Sequence, residues 1–275
     1  MALSDDQLER YARHIILREV GGAGQARLAS ARVLIIGAGG LGSPALLYLS
    51  AAGVGTIGLV DDDDVSLSNL QRQIAHRTQD VGRLKVESAS ESARAINPDT
   101  HINRHATRIN AHNALELVRN YDVVLDGSDN FATRFLVNDA CFLGQRTLVS
   151  AAVGQFDGQL AVFKAHVHVE GERTFPCYRC LFPEAPPAGT VPSCSEAGIL
   201  GALTGVMGSL QALEAIKEIL GIGETMGGRL MLYDGLSAAF RTVRVKPDPA
   251  CALCGPEATM RDLSHHEATQ AASPP

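Results

Sequence analysis

Residues 33–42 read Val33-Leu34-Ile35-Ile36-Gly37-Ala38-Gly39-Gly40-Leu41-Gly42. The four apolar residues at the start read as a strand buried in a parallel sheet. Gly37, Gly39 and Gly42 follow in G-x-G-x-x-G spacing, and an apolar helix is expected from Leu41 to about Ala52. Glycines suit this turn because they permit a tight bend, close approach of backbone to a phosphate, and close contact of helix with strand. The helix N-terminus adds free N–H groups and a positive dipole end. A second strand, Thr56 to Val60, ends at Asp61, 19 residues beyond Gly42. A carboxylate there is placed to receive ribose hydroxyls. The unit selects a nucleotide without choosing between NAD and ATP.

Composition limits the remaining classes. The chain has 275 residues, 45% hydrophobic and 20% charged, enough to bury a large core. Net charge is −6, and no basic run or aromatic-interleaved patch marks a nucleic-acid surface. No apolar run reaches the ~18 residues that span a bilayer. Met1 to Glu9 is acidic and polar, unlike a secretory signal. A cytoplasmic protein with no nucleic-acid or membrane partner is expected. Six cysteines in that compartment point to metal ligands or reactive thiols rather than disulfides.

Before the glycine motif, Ser4 and Gln7 have the spacing of a capping box, and Leu8, Tyr11, Ile15 and Ile16 share one helical face. Arg10, Arg13 and Arg18 on this helix read, by pattern alone, as solvated charges. After Asp61 come Asp62 to Asp64, with Asp63 on the same side of the chain as Asp61. Arg72, and Lys85 on a helix expected over 81–96, are candidate phosphate binders. Helices are further expected over 110–119 and 130–143, with strands over 100–105, 122–126 and 147–151. This alternation predicts a doubly wound, mainly parallel α/β sheet of Rossmann-like type. Asp126-Gly127-Ser128-Asp129-Asn130 falls at a strand's carboxyl end, where such sheets bind ligands. Asp129 there is either a Mg²⁺ ligand or, like Asn130, a helix cap.

Beyond residue 151 the pattern turns antiparallel, with strands expected over 159–164, 229–233 and 240–245. Cys177-x-x-Cys180 and Cys251-x-x-Cys254 form two knuckles suited to tetrahedral Zn²⁺, and four thiolates would close its shell, making it structural. A Pro- and Gly-rich stretch, 183–192, is expected to be a crossover loop. Cys194 follows it, ahead of a long apolar helix expected from about Glu196 to Leu220. Its thiol is either reactive, activated by the helix N-terminus, or a buried structural cysteine. We expect a single unit over 1–263, made of an N-terminal arm (1–31), a nucleotide-binding half (32–150) and a carrier-binding and zinc half (151–263). A disordered tail is expected over 264–275. None of the nine histidines is given a role.

Taken together these motifs resemble the ubiquitin-activating-enzyme-like adenylyltransferases of HesA/MoeB/ThiF type, in particular molybdopterin-synthase adenylyltransferases and their thiazole-biosynthesis relatives. The resemblance rests on Arg13 to Leu17, the glycine motif, Ser66 to Gln73, Lys85, Ser128 to Asn130, both cysteine knuckles and Cys194 to Gly198. It implies ATP-dependent adenylation of the C-terminal glycine of a ubiquitin-like sulfur carrier ending in Gly-Gly, of the molybdopterin-synthase small-subunit type. Carriers for thiamine synthesis or tRNA thiolation would present the same tail. Sulfur would come later from a sulfurtransferase or cysteine desulfurase. By the same resemblance Arg72, Lys85 and Asn69 handle the phosphates, Asp129 holds Mg²⁺, and Asn130 belongs to the nucleotide site. Asp61 and Asp63 serve the ribose side, Gly40 lies under the nucleotide, and Ser68, Leu70 and Gln71 form one wall. Family members are homodimers in which the residue matching Arg13 reaches the neighbouring subunit's ATP. The residue matching Cys194 forms a covalent link to the carrier in some relatives and is dispensable in others. An NAD-dependent oxidoreductase is the rival class, but Arg72, Lys85 and Asp129 have no part in hydride transfer.

Overall fold

The computed structural model describes residues 3–187, 190 and 197–267. Two short helices, α1 (Asp5–Arg10) and α2 (Ala12–Ile15), and helix α3 (Gly21–Ser30) lead to strand β1 (Arg32–Ile36). Helix α4 (Gly42–Ala51), β2 (Thr56–Val60), α5 (Lys85–Ile96) and β3 (His101–His105) follow. Then come α6 (Ala114–Arg119), β4 (Val123–Asp126), α7 (Phe131–Leu143), β5 (Thr147–Val153) and β6 (Asp157–Phe163). A small hairpin, β7 (His168–Val169) and β8 (Glu172–Arg173), precedes α8 (Tyr178–Leu181). The long helix α9 (Gly201–Leu220) and strands β9 (Arg229–Asp234) and β10 (Ala239–Arg244) complete the sheet.

Eight strands form one sheet in the order β10-β9-β6-β5-β4-β1-β2-β3. The run from β5 to β3 is parallel, and β6, β9 and β10 continue it antiparallel. Strand β1 is buried on both faces, which is why its apolar run does not alternate. Val33 and Ile35 pack with Leu46 of α4, Val86 of α5 and Met207 of α9. Leu34 and Ile36 pack on the opposite side with Val118 of α6 and Leu136 of α7. Full burial of each such side chain contributes about 1.5–3 kcal/mol. Among the described residues no helix is long and apolar enough to cross a membrane.

The expected capping box at Ser4 forms, and the first helix then breaks at Tyr11. Three other elements are shorter than expected. Thr78–Asp80 makes a tight turn in which Asp80 accepts from the Arg77 N–H, so α5 begins at Lys85 rather than 81. Asn110 accepts from the His112 and Asn113 N–H groups, a local alternative to helix, and α6 starts only at Ala114. Helix α9 begins at Gly201, and the start expected at Glu196 lies outside the described residues.

The tail expected to be disordered from 264 is instead ordered through residue 267. Ser264–His266 forms a 3₁₀ turn that docks on Asp139 of α7. Asp139 is fully buried and needs partners. Arg179 of α8 supplies two guanidinium nitrogens at 2.8 and 2.7 Å, and His265 and His266 donate from Nε2 at 2.9 and 2.8 Å. Local sequence could not reveal this, because carboxylate and histidines stand 126 and 127 positions apart. Residues 268–275 lie outside the described part.

Asp139→Ala should lower the unfolding free energy by about 3–5 kcal/mol, the scale of stranding one member of a buried pair. Urea denaturation reads this, and adding Arg179→Met should restore part of the loss. Burial alone would raise the Asp139 carboxyl, but the hydrogen bonds from His266 and Arg179 hold it below its ordinary value. Its stabilisation is therefore present above the unfolded value, about 3.9, and is lost as pH falls through the lower folded one. Asp139→Ala should show a smaller loss of stability than the parent in that acidic window.

Candidate functional site

The sheet order reverses between β1 and β4, and the turns that follow these strands meet there. Gly37 has φ +92°, which only glycine adopts without strain, and a Cβ on it would lie 3.1 Å from the Gly127 carbonyl oxygen. A Cβ on Gly42 would lie 1.8 Å from the Gly37 carbonyl oxygen. Gly42 therefore closes the turn from beneath and does not line the cleft above it. Asp61 fixes the other side of the turn. Its Oδ2 accepts from the Ala38 N–H at 2.8 Å, and its Oδ1 from the Asp63 N–H at 2.9 Å. Burial pushes the Asp61 carboxyl up, and Lys85 partly opposes that shift. Lys85 Nζ stands 3.9 Å from Asp61 and 2.6 Å from Asp63.

These groups border a cleft of about 330 Å³ at the carboxyl end of the parallel strands. Gly37, Gly39 and Gly40 form its floor, with Asp61, Asp63 and Lys85 on one wall. Arg72 enters from the segment after β2, and Asp129 and Asn130 enter from the turn after β4. Asn130 also caps α7, accepting from the Thr133 N–H at 2.9 Å. Asp129 is exposed at the cleft. Two helix N-termini, of α4 and α7, and four cations, Arg72, Lys85, Arg108 and Arg134, converge on the same space. Such a cleft suits a ligand with several negative charges and hydroxyls to donate.

Not every expected residue reaches the cleft. Leu67–Asn69 makes a 3₁₀ turn in which Asn69 Oδ1 accepts from the Ser66 N–H at 3.3 Å, and the Ser68 carbonyl accepts from Arg72 Nη1 at 3.2 Å. Ser68, Asn69, Leu70 and Gln71 thus support the Arg72 segment and are absent from the described lining. Arg13 is exposed on α2 and likewise does not line the cleft of its own chain. Cys194 lies outside the described residues.

Arg108, Arg134 and Thr204 are among the lining residues that escaped the sequence reading. Arg108 follows β3, and the strand-edge rule that singled out Asp129 would have found it. Arg134 is four residues past the cap Asn130. It donates to the Ser128 and Ala151 carbonyls at 2.6 and 2.8 Å and so braces the turn that bears Asp129. Thr204 of α9 roofs the floor, 3.0 Å from where a Gly40 Cβ would be. No local pattern announces Thr204, because its contact is purely tertiary.

The four knuckle cysteines gather with Ala165 and Leu253 in a small cluster of their own. Their sulfurs are 3.4–3.8 Å apart in the pairs 177–180, 177–251, 180–254 and 177–254. A tetrahedral ion with Zn–S bonds near 2.3 Å requires S···S separations of about 3.8 Å. The hydrogen bond with Cys177 pulls the Cys180 thiol down to about 7 and also lowers Cys251. The cluster fits one closed-shell Zn²⁺ held by four thiolates, remote in function from the cleft because no ligand position is left open.

The ThiF family model matches residues 11–253. A sulfur carrier protein adenylyltransferase of Thermus thermophilus is 51% identical over 98% of this chain and 98% of its own length. Mycobacterium tuberculosis has a protein named "Probable adenylyltransferase/sulfurtransferase MoeZ", 50% identical over 90% of this chain, which spans 63% of that protein. Among solved structures, E. coli MccB with ATP superposes with a TM-score of 0.76 over 89% of this chain and 74% of MccB. At 22% identity that likeness speaks for the fold alone.

Elemental analysis of protein purified without chelators should find one Zn²⁺ per chain. Cys254→Ser should lose the metal and melt at lower temperature, because metal-binding energy here is folding energy.

Proposed function

The chain belongs to the ThiF family, and from that membership and the cleft together we propose that it adenylates the C-terminal glycine of a ubiquitin-like sulfur carrier with ATP. One observation carries the reading: Arg72, Lys85 and Asp129 meet the glycine turn and Asp61 in a single cleft. The rival oxidoreductase would leave the two cations and Asp129 without a task.

The chemistry brings two anions together. A carboxylate oxygen of the terminal glycine attacks the α-phosphorus of ATP, the bond to the β-phosphate oxygen breaks, and pyrophosphate departs from an acyl-adenylate. The nucleophile is already ionised at neutral pH, so no general base is required. Catalysis is then charge neutralisation at phosphate oxygens. Arg72 and Lys85 supply cations, α4 presents its N-terminus, and Asp61 receives the ribose hydroxyls. Asp129, exposed at the cleft with Asn130 beside it, would hold Mg²⁺, which when bound neutralises phosphate charge. The carrier is of the molybdopterin-synthase small-subunit type in this reading. Thiamine-pathway and tRNA-thiolation carriers offer the same Gly-Gly tail and stand as alternatives. A sulfurtransferase or cysteine desulfurase would then replace AMP by sulfur.

Arg13 belongs to this reading through a homodimer. It is exposed and outside its own cleft, and Ile16 and Leu17 next to it are 71% and 49% exposed, an apolar surface suited to a second copy. Cys194 is assigned to a step after adenylation, because AMP transfer needs no enzyme thiol.

ATP–pyrophosphate exchange should therefore appear only with a carrier whose Gly-Gly tail is intact, and trying each small di-glycine protein identifies the carrier. Asp129→Ala should reduce exchange by ~10²-fold or more, whereas Cys194→Ala should retain it. Arg13→Ala and Asp129→Ala chains should each be inactive alone and regain activity when mixed, since one cleft of each heterodimer holds both residues. Absence of recovery after confirmed subunit exchange would remove Arg13 from the partner's cleft.

A further inference from the structure

We propose that His76 is a positioning residue of this cleft, the point where the glycine turn, the Arg72 segment and the Lys85 helix are fastened to one another. The inference rests on the ATP reading above. His76 is 6% exposed and lies four residues after Arg72, in a turn where its N–H donates to the Gln73 carbonyl at 3.0 Å. Its Nε2 is 2.9 Å from the Ala38 carbonyl oxygen of the glycine turn. A carbonyl can only accept, so Nε2 carries the proton. Its Nδ1 is 2.9 Å from Ser88 Oγ on α5, one turn beyond Lys85. In this tautomer Nδ1 accepts, and Ser88 Oγ has a single proton to give either to it or to Asp80 Oδ2, 2.8 Å away, an oxygen that also accepts from the Arg77 N–H at 3.0 Å. Ser88 and Asp80 are 1% and 3% exposed, so this polar cluster is shielded from water.

The geometry gives these bonds a consequence at the cleft. The Ala38 N–H is already held by Asp61 Oδ2. His76 takes the carbonyl at the other end of the same residue, so both flanking peptide planes are fixed. A peptide plane is rigid and its N–H points opposite its carbonyl. Drawing the Ala38 carbonyl inward to His76 therefore turns the Gly39 N–H outward, on a residue that lines the cleft floor. An N–H fixed in advance can bind a phosphate oxygen without reorganisation. The same imidazole lies 2.9 Å from Ser88 Oγ, which sets α5, the helix that bears Lys85, against this peptide. Three segments that carry phosphate-facing groups thus share one buried side chain.

Two near-isosteric variants separate this role from plain packing. His76→Gln can bring an amide N–H to the position of Nε2, whereas His76→Asn reaches only the position of Nδ1. Calorimetry with Mg-ATP should find binding about tenfold weaker in His76→Asn, the scale of one lost hydrogen bond, and within about threefold of the parent in His76→Gln. In pyrophosphate exchange, His76→Asn should raise KM for ATP more than it lowers kcat. In ATP-free protein, amide hydrogen exchange across residues 38–41 should quicken in His76→Asn and stay near the parent in His76→Gln. Indistinguishable exchange in the two variants would overturn the positioning role, whatever their melting temperatures. A parent protein that fails to bind ATP would overturn the nucleotide reading instead, and the exchange comparison, which uses no nucleotide, would still decide the part played by His76.

Discussion

The close approach of two backbone turns, Gly37–Gly42 after β1 and Gly127–Ser128 after β4, is the constraint on which the rest of the site depends. No side chain fits between them, since a Cβ on Gly37 would press on the Gly127 carbonyl and one on Gly42 would overlap that of Gly37. The contact exists because β1 has β2 on one side and β4 on the other, so the chain leaves the sheet in opposite directions and opens a crevice. The charged residues of the cleft come from both rims of that crevice. Asp61 and Lys85 belong to the β2 side, and Asp129, Asn130 and Arg134 to the β4 side.

Its electrostatics set one ammonium between two carboxylates. Lys85 is 7% exposed at its side chain but is paired with Asp63, which is 67% exposed. The ammonium is thus shielded while its nearer carboxylate partner is solvated, and Asp61 stands 3.9 Å away on its other side. Asp61 differs, being half-buried and tied to the turn by the Ala38 N–H. A half-solvated ion pair and a fixed carboxylate thus sit side by side. Below them Asp126 is fully buried, with Ser128 and Ser150 donating to its carboxylate and Gln211 of α9 donating to its backbone carbonyl at 2.8 Å. Gln211 also reaches Val149, which brackets the strand pair where the parallel sheet gives way to the antiparallel one.

The second half of the chain is held by chemistry of a different kind. Cys177 and Cys180 border α8, Cys251 and Cys254 lie beyond β10, and their clustering joins segments 74 residues apart. Arg179, between the first two cysteines, carries the same unit onto Asp139 of α7. Together the sulfurs and the buried carboxylate replace the apolar core that this region lacks, for its hydrophobic cluster is the smallest of the three described.

Local pattern alone determined the parallel half. An unbroken apolar run, a glycine spacing and an acid at a strand's end are each written within a few residues, so β1, α4, Asp61 and the strand-edge position of Asp129 were legible in one dimension. The paired C-x-x-C spacing made the metal cluster legible as well, since each knuckle is local and only their meeting is not. What tertiary structure decided are the contacts whose partners lie far apart in the chain: Thr204 over Gly40, His76 on Ala38, and His265 and His266 on Asp139. It also left residues 68–71 outside the described cleft lining, with Asn69 Oδ1 turned to the Ser66 N–H and the Ser68 carbonyl to Arg72. Histidine shows the difference most clearly. Its chemistry depends on which group faces each ring nitrogen, and a buried carbonyl or carboxylate brought there by folding leaves no trace in neighbouring residues.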